Sequence, residues 1–257
     1  GMNIAIVTGA SSGIGREFVR LLDAQKKYDA IWVIARRKER LLELAKQSET
    51  PVLAVPLDLG EKESVRKLAE YLKKENPNVR MLINAAGYGK IGNYKEVSLE
   101  DTEGMIDLNC RAAVAVTQTV LPYMKKGSHI MQICSTAAFQ PFPYLNVYAA
   151  SKAFLYRYSR ALRMELFSRR ISVTAVCPYW IKDTEFIGRA RSGKNKSEIR
   201  SFPFASRQKA VARRAMRDTR LGMAVSTPGF MCSIHRVIAK IVPSEIMMGF
   251  WAALRRL

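Results

Sequence analysis

Tyr148 and Lys152 stand four positions apart in the stretch NVYAASKAF. On a helix that interval puts both side chains on one face. An ammonium beside a phenol favours the phenolate, so the pair predicts a tyrosine whose proton, ordinarily held to about pH 10, becomes exchangeable near neutrality. The same spacing also arises on ordinary solvated helix faces. The pair gains meaning only from the elements that present it.

Those elements alternate along the chain. NIAIVT, AIWVIA, PVLAVPL and VRMLIN are short apolar runs, separated by helical stretches over residues 13–26, 37–48 and 61–75. The rhythm continues with helices near 103–126 and 147–169, strands at HIMQICS and ISVTAVC, and a short last strand at GMAVST. Strands apolar on both faces and alternating with helices predict an α/β fold, a parallel sheet covered on both sides.

Directly after the first strand comes TGASSGIG, which places Gly9, Ser11, Ser12, Gly13, Ile14 and Gly15 at a strand-to-helix turn. Glycines there allow a tight turn and a close backbone approach, while the helix N-terminus offers free N–H groups and partial positive charge; a pyrophosphate suits both. At the end of the second strand, where such folds place a carboxylate for the ribose 2′-hydroxyl, the chain has Ala35 followed by Arg36 and Arg37. Guanidinium groups bind phosphate in bidentate fashion, so the site predicts NADP(H) over NAD(H).

Together these residues resemble the short-chain dehydrogenase/reductase family, from the first strand to about Thr184 and more loosely to Thr227. Asn109, Ser135, Tyr148 and Lys152, at intervals of 26, 13 and 4 residues, match the family's four catalytic positions. The resemblance implies a single doubly wound Rossmann-type domain over residues 1–257, with a seven-stranded parallel sheet. It implies that Tyr148 is the general acid in carbonyl reduction and the base in alcohol oxidation. Lys152 would lower its pKa and hold the nicotinamide ribose, Ser135 at the end of the fifth strand would bind the substrate oxygen, and Asn109 would support a water near Lys152. Asp58 with Leu59 would receive the adenine, and Asn84, Ala85 and Gly87 of NAAG would steady the sheet centre beside the cofactor. Pro178, Ile181 and Thr184 would reach the nicotinamide, although Tyr179 stands where the family has glycine. Phe139, Phe142, Tyr144, Tyr179, Phe202 and Phe204, with helices over about 185–220, would surround the substrate.

The chain carries 42 Lys+Arg against 22 Asp+Glu, a net charge of +20, and residues 185–257 hold 15 of those cations against four acids. Such an excess attracts an anionic partner. Four widely spaced cysteines without a Cys-x-x-Cys argue for buried thiols and against a metal site or disulfide frame. Gly1 reads as the residue of a cleaved tag, and with no leader or long apolar run the expected location is cytoplasmic. After Pro228 the tail reads as two helices broken at Pro243, rich in Met, Ile, Phe and Trp. It suits a lid or packing surface, with a peripheral anchor on a membrane as the other reading. The function expected is an NADP(H)-dependent oxidoreductase acting on an apolar or acyl-type, free or carrier-linked, carbonyl or alcohol, in a homodimer or homotetramer. The competing reading is an NADP(H)-binding regulatory or scaffold protein whose basic end contacts a membrane or nucleic acid; the lack of an aromatic-interleaved basic motif disfavours nucleic acid.

Overall fold

The strands are β1 (Asn3–Thr8), β2 (Ala30–Ala35), β3 (Val52–Pro56), β4 (Asn78–Asn84), β5 (His129–Ile133), β6 (Ser172–Val176) and β7 (Val225–Ser226). In the computed structural model, which describes residues 1–11, 13–179 and 208–255, they form one seven-stranded sheet in the order β3-β2-β1-β4-β5-β6-β7. Each neighbouring pair is parallel. Ser12, Ile181, Thr184, Phe202, Phe204 and the stretch from 185 to 207 lie outside the described residues.

The helices are α1 (Gly13–Gln25), α2 (Lys38–Gln47), α3 (Lys62–Glu75), α4 (Leu99–Ile106), α5 (Ala113–Val120), α6 (Asn146–Glu165), α7 (Gln208–Arg220), α8 (Phe230–Ile241) and α9 (Ser244–Arg255). Strand side chains alternate between faces, and the two cores follow that period of two. Ile4 and Ile6 of β1 join Trp32, Leu68, Leu72, Val116 and Leu162 beneath α3, α5 and α6. Ala5 and Val7 join Phe18, Leu22, Val33, Leu41 and Met216 beneath α1, α2 and α7. Phe18 and Trp32 are essentially fully buried, so truncating either to alanine would cost about 3–5 kcal/mol. The 208–220 helix packs on the α1 side of the sheet.

The helical stretch expected near 103–126 begins earlier, at Leu99. Ser98 caps it by accepting the Asp101 N–H at 3.1 Å, and Glu100 and Asp101 complement the positive end of the helix dipole. Between α4 and α5 the chain adopts a π turn over Asp107–Ala112, and a 3-10 turn over Leu121–Tyr123 closes the stretch. A π turn inserts a residue into the helical register and re-aims the side chains it carries. Asn109 is one of them.

The chain runs from β1 outward to β3, then returns to place β4 on the other side of β1. The reversal opens a crevice beyond the carboxyl ends of β1 and β4, where folds of this kind bind their ligands.

Candidate active site

That crevice holds a cavity of about 450 Å³. Gly9, Ser11, Gly13 and Ile14 line it after β1, Arg36 and Arg37 after β2, and Asp58, Leu59 and Gly60 after β3. Ala85, Ala86, Gly87 and Tyr88 line it after β4, Cys134 and Ser135 after β5, and Pro178 and Tyr179 after β6. Tyr148 and Lys152 of α6 close one side.

The turn after β1 is possible only with glycine. Gly9 has φ +66°, and a Cβ on it would stand 2.7 Å from the carbonyl of Ala85 and from the Ala86 nitrogen. Gly15 does not line the cavity. A Cβ there would run into the Gly9 carbonyl oxygen, so its absence lets the first turn of α1 sit on the loop. Thr8 accepts the backbone N–H groups of Ala85 and Ala86, each at 3.2 Å, which ties the turn after β1 to the end of β4. Asp58 accepts the Gly60 N–H at 3.0 Å. The narrow glycine floor, the helix N-terminus above it and the exposed Arg36 and Arg37 together fit a dinucleotide carrying an additional phosphate.

At the other end, Tyr148 and Lys152 share one face of α6 and are both buried. Lys152 Nζ lies 5.9 Å from the Tyr148 ring centroid and donates to the Ile133 carbonyl at 2.9 Å. Ser135 lies two residues past the end of β5 rather than within it. It caps a short 3-10 turn by accepting the Ala137 N–H at 3.1 Å, and its hydroxyl is hydrogen-bonded to Tyr148.

The electrostatics depart from the expectation that Lys152 draws Tyr148 downward. Burial pushes the phenol well above its ordinary value, with the Ser135 hydroxyl opposing. Burial likewise pulls the Lys152 ammonium below its ordinary value. Both groups are taken from water, and each disfavours its charged form.

Asn109 is fully buried and is not among the residues that line the cavity. Its Oδ1 accepts the Tyr88 N–H at 3.0 Å, and its Nδ2 donates to the Tyr88 carbonyl and to Ser151 Oγ, each at 3.0 Å. Asn84 is also away from the cavity, and Nδ2 donates to Thr117 Oγ1 at 3.0 Å, joining β4 to α5. Gly87 lies between these groups: a Cβ on it would stand 2.8 Å from Asn109 Oδ1 and 3.3 Å from Lys152 Nζ.

Three aromatic residues expected around substrate make contacts outside this cavity's lining. Phe139 meets Tyr156 and His235 edge-on, and Phe142 meets Trp251 edge-on at 4.8 Å between centroids. Tyr144 adopts φ +71°, and its carbonyl accepts the Gly92 N–H at 2.8 Å. None of the three lines the cavity. The partners come from the tail: His235 stacks on Tyr179 and bonds Gln140 Oε1 at 2.8 Å, Trp251 Nε1 donates to the Pro143 carbonyl at 3.1 Å, and the Tyr179 N–H donates to Cys232 Sγ at 3.2 Å. Tyr179 does line the cavity, as do Tyr88, Leu108 and Cys134, three residues that local patterning did not single out. Only Tyr88 carried a signal, its position directly after NAAG. Among the described residues no group of three or more His, Cys, Asp or Glu side chains is placed to hold a metal ion, and all four cysteines are free.

Residues 3–195 match the family model described as short chain dehydrogenase. Over 186 residues the chain is 34% identical to the NADP-dependent 3-hydroxy acid dehydrogenase YdfG of Escherichia coli strain K12, covering 71% of this chain and 74% of that protein. A short-chain dehydrogenase from Sphingobium yanoikuyae in complex with NADPH superposes with a TM-score of 0.76 at 24% identity, covering 94% of this chain and 97% of that one. A short-chain dehydrogenase/reductase from Burkholderia phymatum in complex with NAD superposes with a TM-score of 0.78 at 19% identity, covering 93% of each chain. The matched family span ends before α7, so α7, β7 and the tail helices fall outside it.

Proposed function

The chain belongs to the short-chain dehydrogenase family and is an oxidoreductase, and from that premise we propose that it is an NADP(H)-preferring enzyme reducing an apolar or acyl-type carbonyl to an alcohol. One observation carries the reading: Tyr148, Ser135 and Lys152 converge at one side of a cavity whose other reaches end at Arg36 and Arg37.

Arg36 and Arg37, exposed beyond β2, supply the bidentate donors that a ribose 2′-phosphate requires and a free 2′-hydroxyl does not. Gly9, Ser11 and Gly13 would hold the pyrophosphate, with Asp58 and Leu59 on the adenine side and Lys152 on the nicotinamide ribose. When bound, the cofactor supplies the hydride. Ser135 orients the substrate oxygen and Tyr148 delivers a proton to it. Burial keeps the phenol protonated, so the proton that reduction consumes is in place. Tyr88, Leu108 and Tyr179 offer aromatic and apolar walls, which supports the substrate class. The relative's 3-hydroxy acid substrate is consistent with a carbonyl centre of the same kind. We place the whole chain in one domain, working in the cytoplasm as a homodimer or homotetramer.

The test is a fluorescence titration with NADPH and NADH on the wild type and on Arg36→Ala, followed by a panel of ketones, aldehydes and acyl esters. The reading requires tighter NADPH binding, loss of about tenfold or more of that advantage in the variant, and turnover on part of the panel. No NADPH consumption across the panel would overturn the enzymatic assignment.

A further inference from the structure

Helices α8 and α9 are amphipathic in a way that the cleft does not use up. Cys232 and His235 of α8, and Trp251 of α9, face inward onto Tyr179, Gln140 and Pro143. The opposite faces are apolar and in water. On α8 they carry Val237, Ile238 and Ile241, the last 76% exposed; on α9 they carry Ile246, Phe250 and Leu254, with Phe250 67% exposed. Positions 237, 238 and 241, and 246, 250 and 254, each fall on a single helical stripe.

We propose that these outer faces dock on an anionic lipid bilayer, lying in its interface. Each helix has 12 residues, about 18 Å of rise, which is too short to cross the roughly 30 Å of hydrocarbon and right for lying flat on it. Charge selects the partner. The two helices contain Arg236, Lys240 and Arg255 against one acid, Glu245, in a chain of net charge +20. The stripe offers almost no carboxylate to pair with a neighbour's cations, so a second copy is a poor occupant of this face. An anionic surface is attracted by the same charge and accepts Ile241 and Phe250 among its acyl chains. Docking does not depend on the oxidoreductase reading, although the inner faces would then hold the Tyr179 wall of the cleft close to a reservoir of apolar substrate.

The experiment is flotation of the full chain with vesicles of phosphatidylcholine alone and with added phosphatidylglycerol, at low and high salt. Wild type, Ile241→Glu and Phe250→Glu are compared, with NADPH titration as the check on folding and light scattering for mass. Wild type is expected to float with the anionic vesicles, less so at high salt, and each variant to lose about tenfold or more of that binding while still binding NADPH. Equal flotation of wild type and variants, or no flotation of wild type with anionic vesicles, overturns the proposal. So does a fall in mass in the variants without vesicles, which would assign the face to a second copy. Because NADPH binding is read separately, a failed cofactor assignment and a failed docking assignment are distinguishable.

Discussion

Asn109 holds the peptide of Tyr88 from both ends: Oδ1 accepts its N–H and Nδ2 donates to its carbonyl, each at 3.0 Å. The π turn over Asp107–Ala112 carries Asn109, and Tyr88 follows the Gly87 that approaches Lys152. A single amide thus connects an irregular helical turn to the strand end beside Lys152. Asn109→Ala would remove the amide that pairs a buried N–H and a buried carbonyl. Unfolding free energy in urea should fall by about 2–4 kcal/mol. A loss below about 0.5 kcal/mol would show that Tyr88 finds other partners.

Tyr148→Phe removes the proton donor and keeps the ring that packs with Tyr88, Phe142 and Leu145. Turnover should fall about 10²–10⁴-fold, with NADPH affinity within about threefold of wild type. A kcat reduced by less than tenfold would move the acid role to another group.

Gly9→Ala should be severe. The substitution combines a left-handed φ of +66° with a Cβ only 2.7 Å from the backbone of Ala85 and Ala86, atoms that cannot move without shifting β4. A loss of about 3 kcal/mol or more is expected, read as soluble yield and thermal midpoint. Gly249→Ala is the control: a Cβ there has nothing within 4 Å, and the helix should gain about 0.5–1 kcal/mol.

His235 makes the protein sensitive to acid. Burial among Phe139, Phe142 and Tyr179 lowers it from 6.5 to about 4. Between those values the unfolded chain binds more protons than the folded one, so stability present above pH 6.5 is lost as pH falls toward 4. His235→Gln should make that decline shallower, by about 1–3 kcal/mol at the acid end of urea titrations. His129, also lowered chiefly by burial, would supply a remaining part of the slope in the variant.

Much of this protein is written in local periods. The alternation of NIAIVT and AIWVIA between two cores, the glycine turn at TGASSGIG, the four-residue interval from Tyr148 to Lys152 and the paired arginines after β2 each depend on neighbours within one or two turns of chain. Backbone geometry alone dictates them. What the tertiary structure decided involves partners far apart in sequence. The Gln140–His235 and Pro143–Trp251 bonds span 95 and 108 residues, and they pack their segment, with Phe139 and Phe142, against the tail. Asn109 reaches back 21 residues to Tyr88 because a π turn, invisible in hydrophobic period, aims it there. The state of Tyr148 is of the same kind. A neighbouring lysine argues for a lowered pKa, but how much water the folded chain removes from both groups is a property of the whole packed interior, and here desolvation is the largest influence on each.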